Sequence, residues 1–152
     1  MKKRYFLALL LLALAPRAPA QQPAQANLTA QATSCPTTGP GATTSSLIVR
    51  VQNTQGGYGI NLSGTWSGTV SFFGTTNGQT GWSALAATPI NGNSAVTTST
   101  ANGNWQVNSA GLQGVCVLVT TFSSGTVAAS IIASMTFGIG WMRITAIGNP
   151  PL

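Results

Sequence analysis

The sequence predicts an all-β protein, a single antiparallel β-sandwich of jelly-roll or immunoglobulin-like type, placed after an N-terminal signal peptide and a flexible linker. Three observations predict it. From Leu47 onward, short runs rich in Val, Ile, Thr and aromatic residues alternate with Gly, Asn and Ser turns, which is the spacing of strands in a sandwich or barrel. The clearest run, Leu62 to Phe73, alternates strictly between apolar and polar side chains, the period-two mark of a strand with one wet face. No stretch beyond residue 20 carries a convincing helical period.

The first element is the export signal, residues 1–20. Lys2, Lys3 and Arg4 precede the apolar run Tyr5 to Ala15 and then Ala18-Pro19-Ala20, the basic, apolar and A-x-A regions of a secretory signal cleaved before Gln21. The apolar run falls short of the roughly 20 residues a membrane span requires, and Pro16 and Pro19 disfavour an uncleaved anchor. No stable membrane span is therefore expected once the signal is removed. Cleavage also removes most of the charge. The formal charge of +6 shrinks to Arg50 and Arg143, too few cations for the phosphate-neutralising stripe of a nucleic-acid binder.

The second element is residues 21–45. It is rich in Gln, Ala, Thr, Pro and Gly without hydrophobic periodicity, and reads as a flexible linker or extended arm. Cys35 lies within it and Cys116 within a later apolar run. An even cysteine pair in an exported protein reads first as a disulfide, which would close a loop worth about 4–5 kcal/mol of chain entropy. The alternative is two free thiols, with Cys116 acting as a small hydrophobe in a strand.

The third element, residues 46–152, is the β-sandwich domain. Short strands are expected near 47–52 and 58–62. In the run from Leu62 to Phe73, Leu62, Trp66, Val70 and Phe72 share one face. Further short strands are expected near 82–87, 94–100 and 104–108. Val115 to Phe122 is apolar on both faces and fits a central strand. Val127, Ala129, Ile131, Ala133 and Met135 alternate again, with Ile132 the exception. Thr76-Asn77-Gly78, Asn91-Gly92-Asn93, Asn102-Gly103 and Ser124-Gly125 supply the turns. In residues 136–152, Phe137, Ile139 and Trp141 alternate with Gly138 and Gly140. That segment reads either as a last strand of the sandwich or as an apolar segment that pairs with a neighbouring subunit by strand addition.

The stretch Leu62-Ser63-Gly64-Thr65-Trp66-Ser67-Gly68-Thr69-Val70-Ser71-Phe72 resembles the opening strand of a Gly/Thr-rich β-sandwich module of phage structural proteins and bacterial surface proteins. Thr76-Asn77-Gly78, Gly81-Trp82, Val96 to Thr100, Gly111-Leu112 and Ser124-Gly125-Thr126 follow in the order of that module, over about residues 60–134. The chain departs from the pattern in lacking an acidic residue in the first turn and in carrying Cys116 where the pattern tends to have Arg. The resemblance implies a surface or particle component, and it carries no catalytic residues with it.

Chemistry is the poorest part of the sequence. It has no Asp, Glu or His, and its lysines lie in the signal. General acid–base catalysis draws on those side chains, and a Ser or Thr nucleophile needs one of them to take its proton. Calcium, magnesium and zinc sites need carboxylates, imidazoles or more cysteines. No enzyme activity, catalytic residue, metal or other cofactor is expected. Recognition falls to the aromatic and apolar residues. Trp66 and Trp105 share parity with core positions, whereas Trp82, Trp141, Tyr58, Phe137 and Ile139 are the candidates for ligand or partner contact. The function expected is a non-catalytic structural or assembly component, secreted or extracytoplasmic, at the periplasm or cell surface or within a particle or fibre. It would act by packing against its own copies or a surface or particle partner. The alternative is a secreted module that binds polysaccharide through exposed tryptophans.

Overall fold

The computed structural model describes residues 23–52, 55–92 and 94–135. In chain order its strands are β1 (Ala24–Leu28), β2 (Gly41–Ala42), β3 (Ser46–Arg50), β4 (Gln55–Ser63), β5 (Trp66–Thr75), β6 (Ser83–Ala84), β7 (Ala87–Pro89), β8 (Thr98–Ser99), β9 (Gly103–Asn108), β10 (Gly114–Gly125) and β11 (Val127–Met135). They pair antiparallel into two sheets. A five-stranded sheet runs β1-β11-β4-β9-β7, and a six-stranded sheet runs β2-β3-β10-β5-β6 with β8 added beside β5. The sheets pack face to face, so the all-β sandwich is the fold. Among the described residues, no helix is long and apolar enough to cross a membrane.

Alternation decides which side chains meet between the sheets. Tyr58, Ile60 and Leu62 of β4, Trp105 and Val107 of β9, and Val127, Ala129 and Ile131 of β11 point inward from the five-stranded sheet. Leu47, Val70, Phe72, Val115, Val117 and Val119 answer them from the other. Phe72 and Trp105 meet across the gap with ring centroids 5.5 Å apart and planes tilted by 47°. Each large apolar side chain buried in this layer contributes about 1.5–3 kcal/mol.

The run Leu62 to Phe73 is not one strand. It breaks at Gly64 and Thr65, and the chain passes there from the five-stranded sheet to the six-stranded one. Strict alternation survives the break because Leu62 and Val70 face the same interior from opposite sides. Gly64 has φ of +106° and Gly125 φ of +94°, backbone that glycine adopts without a β-carbon penalty. Gly125 ends β10, where the chain crosses back to begin β11. The two crossings touch: the Thr126 amide donates to the Thr65 carbonyl at 2.9 Å. A β-carbon on Gly64 would overlap the Thr126 carbonyl oxygen, and one on Gly125 the Thr65 carbonyl oxygen.

The expected flexible linker over 21–45 is also corrected, for its described part. Residues Ala24–Leu28 form the edge strand beside β11, in register from Ala24 opposite Ile131 to Leu28 opposite Val127, with Leu28 fully buried. Beyond it, Thr29 and Ala30 donate their amides to the Thr44 carbonyl at 2.7 and 3.0 Å. The Ala32 amide reaches the Val119 carbonyl at 3.0 Å. Gln31 Oε1 accepts from the Phe122 amide at 3.0 Å. Cys35 is bonded to Cys116. The sequence concealed this strand because Ala24 and Ala26 bury too little to leave a hydrophobic signal.

The arm explains why β10 is apolar on both faces. Val115, Val117 and Val119 face the main core. Cys116 and Leu118 face outward, where Cys35, Ile48, Ala32, Phe73 and Trp82 cover them. With β3 on one side and β5 on the other, β10 is the central strand its composition indicated. The runs near 82–87, 94–100 and 104–108 form β6 to β9, the first three of them shorter than their sequence runs.

Candidate functional site

Two of the aromatic contact candidates, Tyr58 and Trp82, lie among the described residues. Tyr58 is a core residue, not a surface contact, with 3% of its surface exposed. Its hydroxyl donates to the Arg50 carbonyl at 3.1 Å, and burial pushes its pKa above the usual tyrosine value, against a smaller opposing effect from the Gln52 backbone. Trp82 is half-buried against the disulfide cluster, so its ring closes a small core and does not stand open. Its Nε1 is buried without a hydrogen-bond partner. Phe137, Ile139 and Trp141 lie outside the described residues, as does the signal peptide expected over 1–20.

The other two tryptophans sit as parity requires. Trp105 is buried. Trp66 packs against the edge of the main core, and its Nε1 donates to Asn102 Oδ1 at 2.7 Å. Asn102 Nδ2 in turn donates to the Gly64 carbonyl at 2.8 Å, so this pair staples the Gly64 crossing. Among the described residues, then, Trp105 is buried, and Trp66 and Trp82 are each partly exposed. Those residues hold no three His, Cys, Asp or Glu groups close enough together to share a metal.

The structure draws attention instead to a surface that no motif marked, the outer face of the five-stranded sheet. Gln25 and Asn27 of β1, Asn61 and Ser63 of β4, Asn104, Gln106 and Asn108 of β9 and Ser130 of β11 alternate with the buried positions and so line this face. Asn61 Nδ2 donates to Asn104 Oδ1 at 2.8 Å across β4 and β9, pairing amides that water would otherwise hydrate. Arg50, the one ionised side chain among the described residues, belongs to β3 in the other sheet. The face is polar, hydroxyl- and amide-bearing, and uncharged.

Two depressions cross it. One, about 350 Å³, is lined by Gln25, Asn27, Asn61, Ser63 and Ser130 with Ala128. The other is a groove of about 770 Å³ over β4, with Gly57 and Gly59 as its floor. Ile132 of β11 stands on one side of it, and Thr88, Ile90, Gln106 and Asn108 on the other. Ile90 is 65% exposed and Ile132 49%; these are the exposed large hydrophobic side chains among the described residues. The groove exists because the floor has no side chains: a β-carbon on Gly59 would lie 3.3 Å from Ile132 Cγ2, and one on Gly57 3.0 Å from the Val107 carbonyl oxygen. The sequence did contain a faint sign of it, since Ile132 is the one residue that breaks the alternation of β11.

The chain is similar to the crystal structure of SPBc2 prophage-derived protein YomS, with a TM-score of 0.51 and 19% identity, over 78% of this chain and 100% of that one. No protein-family model matches the chain, and no curated protein does. A phage-derived protein thus shares the β-sandwich fold.

Proposed function

We propose that the protein is a non-catalytic structural or assembly component of a bacterial surface, fibre or virion, acting by packing against copies of itself or a particle partner. The observation that carries this is the uncharged outer face of the five-stranded sheet with its isoleucine-flanked groove. Net charge ordinarily keeps a domain soluble and apart from its copies, and this face has none. An exposed pair of isoleucines beside bare backbone is a surface that gains by being covered. Amides already paired to each other, as Asn61 and Asn104 are, lose little hydration on contact. The disulfide fits an extracytoplasmic or virion location, since such bonds persist in oxidising compartments. The fold shared with a phage-derived protein agrees with a particle role.

Sedimentation velocity over a wide concentration range tests the proposal. The expected result is growth of species larger than the monomer as concentration rises, with little dependence on salt, because contact between uncharged surfaces is not screened. A protein that stays monomeric at every concentration, in low and high salt alike, overturns the reading.

A further inference from the structure

Resting on that assembly reading, we infer that the groove over Gly57 and Gly59 receives residues 137–141 of a second copy of this chain. The first observation is where the segment begins. Residues 136–152 follow directly on β11, whose last residue, Met135, pairs with Gln55 at the start of β4. The groove residues Gly57, Asn108 and Ala133 lie at that same end of the sheet. In every copy, then, the segment follows in sequence directly on β11, the strand that carries Ile132 of the groove.

The second observation is chemical fit. Phe137, Ile139 and Trp141 alternate with Gly138 and Gly140, so in extended form the three large side chains share one face and the other is bare. Such a segment suits a sheet face better than a sheet edge, because its whole apolar surface points one way. The groove offers a floor without side chains, flanked by Ile90 and Ile132. It holds no acid, and Arg143 falls beyond the docked stretch, so no charge is buried.

The third observation selects the second copy over the same chain. Ile132 is itself a wall of the groove and lies three positions before Met135. To reach the groove, the segment of the same chain would have to reverse over Thr136, Phe137 and Gly138, which would place Phe137 in the bend. A segment arriving from a neighbour enters extended with all three anchors available. Such a contact is heterologous, one surface against a different one, and repeats into a ring or an open chain.

Two double variants of the full chain test this. Phe137→Ser with Trp141→Ser disarms the segment; Ile90→Lys with Ile132→Lys disarms the groove at positions exposed enough to leave the core intact, and Ile90→Lys alone is the milder control. The expected result by sedimentation is that each variant alone associates about tenfold or more weakly, the loss typical of a truncated interface anchor. An equimolar mixture should regain a one-to-one dimer, since one variant keeps the groove and the other keeps the segment. A mixture that stays monomeric overturns the inference. So does association weakened only by the segment variant, which indicates edge pairing, or only by the groove variant, which indicates sheet-to-sheet contact. A parent chain that never associates overturns the assembly reading itself; a parent that associates while both variants match it overturns only the groove assignment.

Discussion

Replacing Gly125 by alanine probes the device that turns two strand pairs into a sandwich, the touching crossings at Gly64 and Gly125. Two costs are expected. The first is conformational: φ at Gly125 is +94°, and holding an alanine in left-handed backbone costs roughly 1–2 kcal/mol. The second is steric. The new β-carbon would overlap the Thr65 carbonyl oxygen, and because that atom is backbone it cannot swing aside. The crossings must separate, weakening the 2.9 Å bond from the Thr126 amide to Thr65. Lost hydrogen bonding and forced backbone shift together add about 2–3 kcal/mol. Gly111→Ala is the matched control, since Gly111 has φ of +78° with nothing within 4 Å of its β-carbon position, so only the conformational cost applies. Urea unfolding followed by tryptophan fluorescence, with equal m-values, should therefore show Gly125→Ala less stable than Gly111→Ala by about 2–3 kcal/mol. Both glycines are solvent-exposed, so burial alone anticipates no difference between them. Equal losses, within about 0.5 kcal/mol, would refute the reasoning.

Three further outcomes are expected. Replacing Cys35 and Cys116 together by alanine should lower stability by about 4–5 kcal/mol, the chain entropy of an open loop of about 80 residues; a loss under about 1 kcal/mol in urea unfolding would show that the bond constrains little. Asn102→Ala should cost about 1–2 kcal/mol, because it leaves Trp66 Nε1 and the Gly64 carbonyl without their partner. In a double-mutant cycle with Trp66→Phe, the two losses should fail to add by more than about 0.5 kcal/mol, and strict additivity would refute the staple. With no carboxylate or imidazole side chain to titrate, the thermal midpoint should be flat between about pH 4 and 8. Above the ordinary tyrosine value near 10 it should fall: the Tyr58 pKa is raised by burial, so the unfolded chain releases that proton first and stability is lost as pH rises. Tyr58→Phe should abolish that alkaline fall, and an unchanged fall would place its origin elsewhere.

Much of this fold was legible because its signals are local. Alternation in β4, β5 and β11 sorts core from surface without knowledge of any partner strand, and the double-faced apolarity of β10 marks a central strand. The parity of Trp66 and Trp105 likewise anticipates a core contact for each. The strand Ala24–Leu28 was not legible, since alanines alternate with amides there too quietly to be heard above linker composition. The surroundings of Trp82 and Tyr58 were not legible for a related reason. Trp82 lies near a turn in sequence, but the arm and the disulfide build a second small core around it. Tyr58 has the inward parity of Ile60 and Leu62, and its polar tip finds a carbonyl inside.

By itself the sequence determined the absence of acids and imidazoles, hence the poverty of acid–base chemistry, and the pairing of cysteines that proved to be bonded. It also determined the β class, since period-two patterning is a property of consecutive residues. Only the tertiary structure decided where the chain changes sheets, because that depends on two glycines distant in sequence approaching one another. It alone decided that an arm rich in Gln, Ala and Thr is an edge strand and a cover for β10. The groove, too, belongs to the tertiary structure. Gly57, Gly59, Gln106 and Ile132 come from three strands and Ile90 from the turn after β7, and only the fold brings bare backbone and exposed isoleucines onto one uncharged face.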